Sequence, residues 1–320
     1  MLFFLSILEL LYVALLAPLT IGIIRKLEEI VESKKGPSIF QEYYDLIKLF
    51  RKETLAPHAA SPFFIAAPYI TFSFYLLLTL VLPIITAFPL TFGPTVDFVG
   101  GGLVFGAAAT VKKLAAIDSR NNYAHLGTSR ASSIGALSEP IILIIFIMFG
   151  VISNTNNPYI INNVLQTSKD WYLSLIHWFA TFAFFMVLIV ETGKLPIESH
   201  SLGELGFIDQ GMELEYSGKE FALYKWGGYI KHFLLMNVFM NVFAFPFFVP
   251  MQQSLPDVFI YMFINYAKIL VLIILFVIIE ETFSKYKLFK IFDFVAVALV
   301  LAFLAALVFY TTGSAAGGGL

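Results

Sequence analysis

Long uncharged blocks, separated by polar stretches, dominate the chain. Eight of them are long enough to cross about 30 Å of hydrocarbon as helices. They run approximately over 2–24, 63–88, 98–117, 134–153, 171–190, 229–249, 258–279 and 291–312. A helix satisfies its backbone polar groups within its own segment, so each block predicts a membrane-spanning helix. The first block contains Glu9 and Pro18, and the sixth is broken near its end by Pro246 and Pro250. Lys268 is the only cation well inside a block. The expected fold class is all-α: one polytopic membrane domain over 1–320 with about eight transmembrane helices, plus an amphipathic cytoplasmic helix.

The polar stretches differ in charge. Arg25, Lys26, Lys34, Lys35, Lys48, Arg51 and Lys52 follow the first block, and Lys112, Lys113, Arg120 and Arg130 follow the third. Lys194, Lys219, Lys225 and Lys231 follow the fifth, and Lys285, Lys287 and Lys290 the seventh. The stretches after blocks two and six have no Lys or Arg, and the one after block four has only Lys169. The rule that cytoplasmic loops are Lys/Arg-rich puts loops 25–62, 112–133, 191–228 and 280–290 in the cytoplasm and both termini outside the cell membrane.

Within the first of these loops, Pro37 to Glu53 has a helical period. Ile39, Tyr43, Leu46, Ile47 and Phe50 share one side, and Gln41, Asp45, Lys48 and Lys52 the other. Gly36-Pro37 is a start signal and Pro57 a stop. Such a helix lies on lipid or against neighbouring helices, and its polar face equally suits a partner protein.

Composition agrees. The 320 residues are 59% hydrophobic and 13% charged, against about 45–50% and about 25% in soluble domains. A net charge of −2 says little about partners. The N-terminus lacks a basic region and a small-residue cleavage site, so it reads as a retained span. There is no Cys, hence no disulfide and no thiolate ligation of an iron–sulfur cluster. Electron transfer is therefore expected on other subunits. The five His residues show no metal-ligand spacing. Gly100-Gly101-Gly102 lacks the following Lys-Ser/Thr of a phosphate loop and reads as close helix packing.

The candidate chemistry lies from Glu191 to Tyr216. This stretch holds Glu191, Glu198, Glu204, Asp209, Glu213 and Glu215, with Lys194 as the single cation. Clustered, partly buried carboxylates repel one another, which suits proton exchange near neutral pH. A solvated acidic loop is the plain alternative, but Glu191 directly ends an apolar block and the stretch is studded with Leu, Ile, Phe and Met. Glu139, at the start of block four, is either a helix-start acid favoured by the helix dipole or a functional intramembrane acid.

Four stretches together resemble a family. KKGPSIFQEYYDLIKLFRKE resembles a signature of the membrane subunit next to the quinone site in respiratory complex I. NNYAHLGTSRASSIGALSEP, ETGKLPIE and GMELEYSGKEFAL resemble its later loop signatures, in the same order. Ser-Arg and Glu-Pro in the second stretch, Glu-Thr-Gly-Lys in the third, and the spacing of Glu204-Leu205 from Glu215-Tyr216 are closer to one branch. That branch holds the homologous subunits of energy-converting membrane-bound nickel–iron (NiFe) hydrogenases, formate hydrogenlyase and the archaeal sulfane reductase.

The resemblance assigns Gln41, Asp45, Lys48, Lys52 and Glu53 to the first motif, and Arg130 and Glu139 to the second. It assigns Glu191, Lys194, Pro196 and Glu198 to the third, Glu204 to the acid between, and Glu215 and Tyr216 to the fourth. It implies that Glu139, Glu191, Glu204 and Glu215 line a proton path, and that the remaining motif residues meet a peripheral redox arm. Lys194 stands where Arg is commoner, which loses fork-like pairing to a carboxylate. The implied protein is a membrane-anchor and coupling subunit of a ferredoxin-linked, redox-driven ion pump. It carries no cofactor itself; iron–sulfur clusters and a NiFe centre belong to hydrogenase-like partner subunits. Antiporter-like membrane subunits and the lipid bilayer are the other expected partners, with no nucleic acid. Within the family, a sulfane reductase or a quinone-reducing complex I remains open. Outside it stand a purely structural anchor and a secondary transporter, the latter without the expected inverted repeat of broken helices.

Overall fold

Each of the eight apolar blocks contains a helix. A computed structural model of the chain describes residues 1–93, 97–167, 172–194, 208–251, 254–284 and 288–317. Its helices are α1 (Leu2–Val31), α2 (Gln41–Phe50), α3 (Pro62–Val81), α4 (Phe98–Asp118), α5 (Asn122–Ile152) and α6 (Pro158–Thr167). They continue with α7 (Leu175–Glu191), α8 (Asp209–Glu213), α9 (Gly218–Val238), α10 (Leu255–Thr282) and α11 (Leu288–Gly317). There is no strand among the described residues. Six helices (α1, α3, α4, α5, α10 and α11) are long and apolar enough to cross a membrane. The seventh, α7, is apolar but 17 residues long. The eighth, α9, starts among Lys219, Glu220 and Lys225 and is extended by a π-helical turn, Phe239–Ala244. The chain is an all-α polytopic membrane protein.

The long helices form one bundle with two distinguishable ends. Glu28 of α1 and Glu280 of α10 meet Lys194 beyond the end of α7. Ser61 before α3 bonds Asp118 at the end of α4, and Asn121 before α5 bonds Glu215. These contacts define a loop-rich end. At the far end, Glu9 near the start of α1 meets Ile84 and Ile85 after α3. His177 at the start of α7 meets the Phe243 carbonyl beyond α9. Between the ends α7 packs along α11, and α3 lies between α4 and α9. Phe184 of α7 anchors the middle, 4.5 Å from the Phe243 ring and 6.0 Å from Phe146. Leu11, Phe263, Val271 and Leu307 face outward; such a surface suits lipid and would be an aggregation hazard in water.

Local chemistry explains several boundaries. Ser61, Asp97, Asn121 and Ser174 cap α3, α4, α5 and α7 with side-chain oxygens. Pro18 cannot donate to the Ala14 carbonyl; that carbonyl accepts Trp226 Nε1–H instead, at 3.0 Å. Gly101 and Gly102 are buried, and a Cβ on Gly102 would lie 3.0 Å from Leu143. The predicted close packing of these glycines is observed.

Three segments differ from expectation. The stretch 112–133 is mostly helix, because α4 runs to Asp118 and Asn121 restarts the helix at once. The second block leaves the helix at Val81, yet Leu82 to Phe88 stay buried. Irregular backbone at that depth survives only where protein groups satisfy it, and Glu9, Asn241, Asn265 and Asn163 do so. In α2 the buried face is turned: Glu42 and Leu46 point inward while Ile47 is half exposed.

Candidate functional site

The loop-rich end encloses a cavity of about 670 Å³. Its walls include Arg25 and Glu28 of α1, Lys194, Glu213 of α8, and Tyr229 and Lys231 of α9. A smaller pocket, sharing Lys112, Gly193 and Lys231 with it, reaches Glu139 and Glu191. Charged groups on these walls come from helices far apart in sequence, and most are held in ion pairs.

Helix ends set the geometry. Glu191 is the last residue of α7, and Thr192 beside it is tied back by its hydroxyl to the Leu188 carbonyl. The Glu191 carboxylate meets Lys231 Nζ at 2.7 Å and accepts from Ser138 Oγ at 2.8 Å. Glu139, next to Ser138 on α5, accepts from Lys113 Nζ at 2.9 Å. The turn after α7 places Lys194 against the neighbouring helix ends. Its ammonium, almost fully buried, donates to Glu28 at 2.7 Å and to Glu280 at 2.8 Å. The two carboxyl groups also contact each other. This trio carries one more carboxylate than it has cations.

Helix α2 packs against two residues of the cavity wall. Glu42, 1% exposed, pairs with Arg25 of α1 and accepts from the Tyr229 hydroxyl of α9. Gly22 permits the close approach of the chain entering α2, because a Cβ there would lie 2.0 Å from the Ile39 carbonyl oxygen. Lys112, half-buried, stands over the Tyr224 ring at 4.2 Å, a cation–π contact.

The first and third loops are bound together. Leu55 N–H donates to Ser217 Oγ, which donates in turn to the Leu55 carbonyl. Thr54 donates to Glu220, and so does the Tyr69 hydroxyl at 3.3 Å. Gly218, at φ +55°, takes the left-handed conformation directly under the Glu53 carbonyl. Tyr216 stacks on Phe64 at 4.2 Å and donates to its carbonyl at 3.1 Å. Burial, with Asp118 adding to it, pushes the Tyr216 hydroxyl pKa above the usual tyrosine value.

The site residues named from sequence divide accordingly. Glu139, Glu191, Lys194 and Tyr216 line the cavity or its side pocket. Glu215 is absent from both linings and accepts from Asn121, whereas Glu213 is on the larger wall. Gln41 donates to Asp45 at 3.0 Å; Lys48, Lys52 and Glu53 are exposed around that helix, and Arg130 is half-buried on α5. Pro196, Glu198 and Glu204 lie outside the described residues. Sequence reasoning missed Glu28, Glu42, Lys113, Lys231 and Glu280 as partners. Glu42 carried a signal: it shares the helix face of Leu46 at i and i+4.

A family model described as NADH dehydrogenase matches residues 4–311. Hydrogenase-4 component C of Escherichia coli (strain K12) is 28% identical over 305 residues, 93% of each chain. Formate hydrogenlyase subunit 4 of the same organism is 28% identical over 236 residues, 71% of this chain and 73% of that one. Among solved structures, a chain of the membrane-bound sulfane sulfur reductase, an archaeal respiratory membrane complex, gives a TM-score of 0.78. It covers 95% of this chain and 99% of that one at 19% identity, a likeness of fold.

Proposed function

We propose that this chain, which belongs to the NADH dehydrogenase family, is the membrane-anchor and coupling subunit of a redox-driven respiratory complex of the hydrogenase type. The Lys/Arg-rich loop end faces the cytoplasm and docks a peripheral arm. That arm carries the iron–sulfur clusters and a NiFe centre, with reduced ferredoxin as electron donor. Antiporter-like membrane subunits sit alongside in the bilayer. This chain performs no electron transfer. Its part is to take up protons at the cavity carboxylates when the arm turns over, and to pass the change on to its membrane neighbours.

One observation carries the reading: Lys194 holds two carboxylates, Glu28 and Glu280, in buried contact at the cavity wall. Burying ions is expensive unless they are paired. A site with one carboxylate in excess therefore responds to any nearby charge by gaining or losing a proton. Glu191, with one lysine and one serine, is the neighbouring group on the same walls. Glu139, Glu204 and Glu215 extend the proposed path.

The test uses the intact complex purified gently from its membrane and rebuilt into vesicles. With reduced ferredoxin, hydrogen evolution and polysulfide reduction are followed separately from ion uptake. Glu191→Gln keeps the hydrogen bond to Ser138 but loses the charge facing Lys231. The expected result is assembly with ferredoxin-dependent turnover but without coupled ion transport. Normal transport in this variant removes Glu191 from the path. Hydrogen evolution assigns the hydrogenase reaction; polysulfide reduction without hydrogen moves the chain to the sulfane-reductase branch.

The cavity's size supports a second reading. At about 670 Å³ it lies within the range of small-molecule sites, roughly 300–1,000 Å³, and Ile21, Ile24, Phe221 and Tyr229 give it apolar wall. A quinone-type acceptor would suit such a space. Quinone reduction by the intact complex, with neither hydrogen nor sulfide formed, would select it.

A further inference from the structure

Glu9 is fully buried on α1, at the end of the bundle opposite the cavity. Its Oε1 accepts from the backbone N–H groups of Ile84 and Ile85 at 3.3 and 3.4 Å. Its Oε2 is buried and has no hydrogen-bond partner among the described residues. No ion pair reaches Glu9 among them either. A carboxylate at this depth is costly without a cation. Accepting two N–H groups requires only an amide oxygen, which Gln supplies. What a carboxyl adds is a proton that it can give up.

Polar groups continue from Glu9 in both directions on one side of α1, where residues three apart are neighbours. One step outward, buried Ser6 Oγ lies 3.1 Å from Thr91 Oγ1, and Thr91 is exposed at the far surface. One step inward, the Tyr12 hydroxyl donates to Asn265 Oδ1 of α10 at 2.9 Å. Asn265 in turn donates to the Ile84 carbonyl, on the same segment that Glu9 holds. Further along, Thr20 lies against Tyr266 of α10, and the seam ends at Glu28 and Glu280 beside Lys194. The seam between α1 and α10 thus carries polar side chains at intervals from the far surface to the cavity wall, with Glu9 toward one end and Glu28 and Glu280 at the other.

We propose that the α1–α10 seam is the far-side half of the ion path, with Glu9 as its proton-carrying group and the Ser6–Thr91 hydroxyl pair as its mouth. The proposal rests on the reading that the cavity carboxylates take up protons. Glu9 receives a proton at Oε2 from the cavity side of the seam and releases it through the two hydroxyls. Each hydroxyl accepts one proton and donates another, so no charge remains behind on Ser6 or Thr91. Redox turnover is not required of Glu9; ion release is.

The experiment compares Glu9→Gln and Glu9→Leu in the intact complex, reading assembly and ion transport per electron in vesicles. Gln retains the acceptor for Ile84 and Ile85, so the complex assembles, and transport falls by at least about tenfold, as for loss of a proton-transfer group. Leu removes the acceptor as well and impairs assembly. Wild-type transport with Gln overturns the proposal and leaves Glu9 as a clamp on residues 82–90. If Gln also fails to assemble, Ser6→Ala and Tyr12→Phe decide: both preserve packing, reduced transport in them supports the seam, and normal transport in both refutes it. Glu191→Gln, run in parallel, separates the two readings. Loss at Glu191 with normal transport at Glu9 rejects only the seam; the reverse removes only Glu191 from the path and leaves Glu28 and Glu280 as the cavity end of the seam.

Discussion

The two ends of the bundle bury ionisable side chains by different means. At the cavity end, Glu191, Glu139, Glu42, Glu28 and Glu280 each meet a lysine or arginine. At the far end, Glu9 and Lys268 are both buried, and each is held by backbone instead. Two N–H groups face Glu9, and Lys268 donates to the Phe245 and Phe247 carbonyls at 3.0 and 2.7 Å. The local backbone explains the difference. Residues 82–90 and 245–250 are not helical, so their peptide groups are free to face a side chain. Where the cavity's charged residues sit, the chain is helical or tightly turned and its peptide groups are mostly engaged. A charge there must find another side chain. Unwound backbone acts as the counter-group at one end of the molecule, and opposite charge does so at the other.

Removing one cation at each end puts this contrast to the test, and the largest effect belongs to Lys194. Lys194→Met strands two carboxylates that touch each other and are only 24% and 10% exposed, and breaking a pair enclosed to this degree costs up to about 3–5 kcal/mol. The purified complex is expected to lose this subunit at lower detergent or denaturant concentration than wild type. The loss shrinks as pH falls, because protonation neutralises the stranded acids. Lys194→Arg restores the charge and recovers most of the stability. A Lys194→Met complex as robust as wild type would mean that the trio is not held by charge.

Lys268→Met at the far end should cost less. It strands two carbonyls and the Tyr261 hydroxyl, which Lys268 meets at 3.2 Å, but no opposite charge. Unsatisfied neutral groups cost about 1–3 kcal/mol, and the loss should not depend on pH in the acid range. An effect as large as that of Lys194→Met would break the contrast, since it would require a charge partner for Lys268.

The same contrast shows what a sequence reveals. Block length predicts the spans: each of the eight blocks contains an observed helix, and six of these helices are long and apolar enough to cross a membrane. Lys194, Glu191 and Glu139 stood out as charges beside apolar runs, and folding brings them to one cavity. Their partners did not stand out. Lys113 is 26 residues from Glu139, and Glu28 and Glu280 are 166 and 86 residues from Lys194; such pairings are set by helix packing, which no local pattern encodes. An acidic loop with a single cation therefore looked unbalanced in sequence, although lysines from α4 and α9 meet its neighbours in space. Glu42 was assigned to neither face of α2 because the apolar face was drawn around Ile47, which the fold leaves half exposed. Glu9 and Lys268 were visible as charges inside spans, but the backbone that receives them becomes evident only once Val81 and Ala244 are seen to end their helices.

The smallest predicted effect concerns Lys113 and Glu139, which sit at the cavity end but are less enclosed. Their side chains are 17% and 34% exposed, so water screens the attraction and carries part of the solvation that burial removes elsewhere. Such a pair contributes about 0.2–1 kcal/mol. Lys113→Met should therefore shift stability by no more than that, and the shift should fade as salt is raised, because exposed charges are screened over a Debye length of about 8 Å at physiological ionic strength. The Lys194→Met loss should persist in the same salt series. The two substitutions remove the same charge from the same end of the molecule, and differ in how much water reaches the carboxylates left behind. Equal losses at high salt would show that burial does not separate them, and that the pairing at the cavity end works as one network.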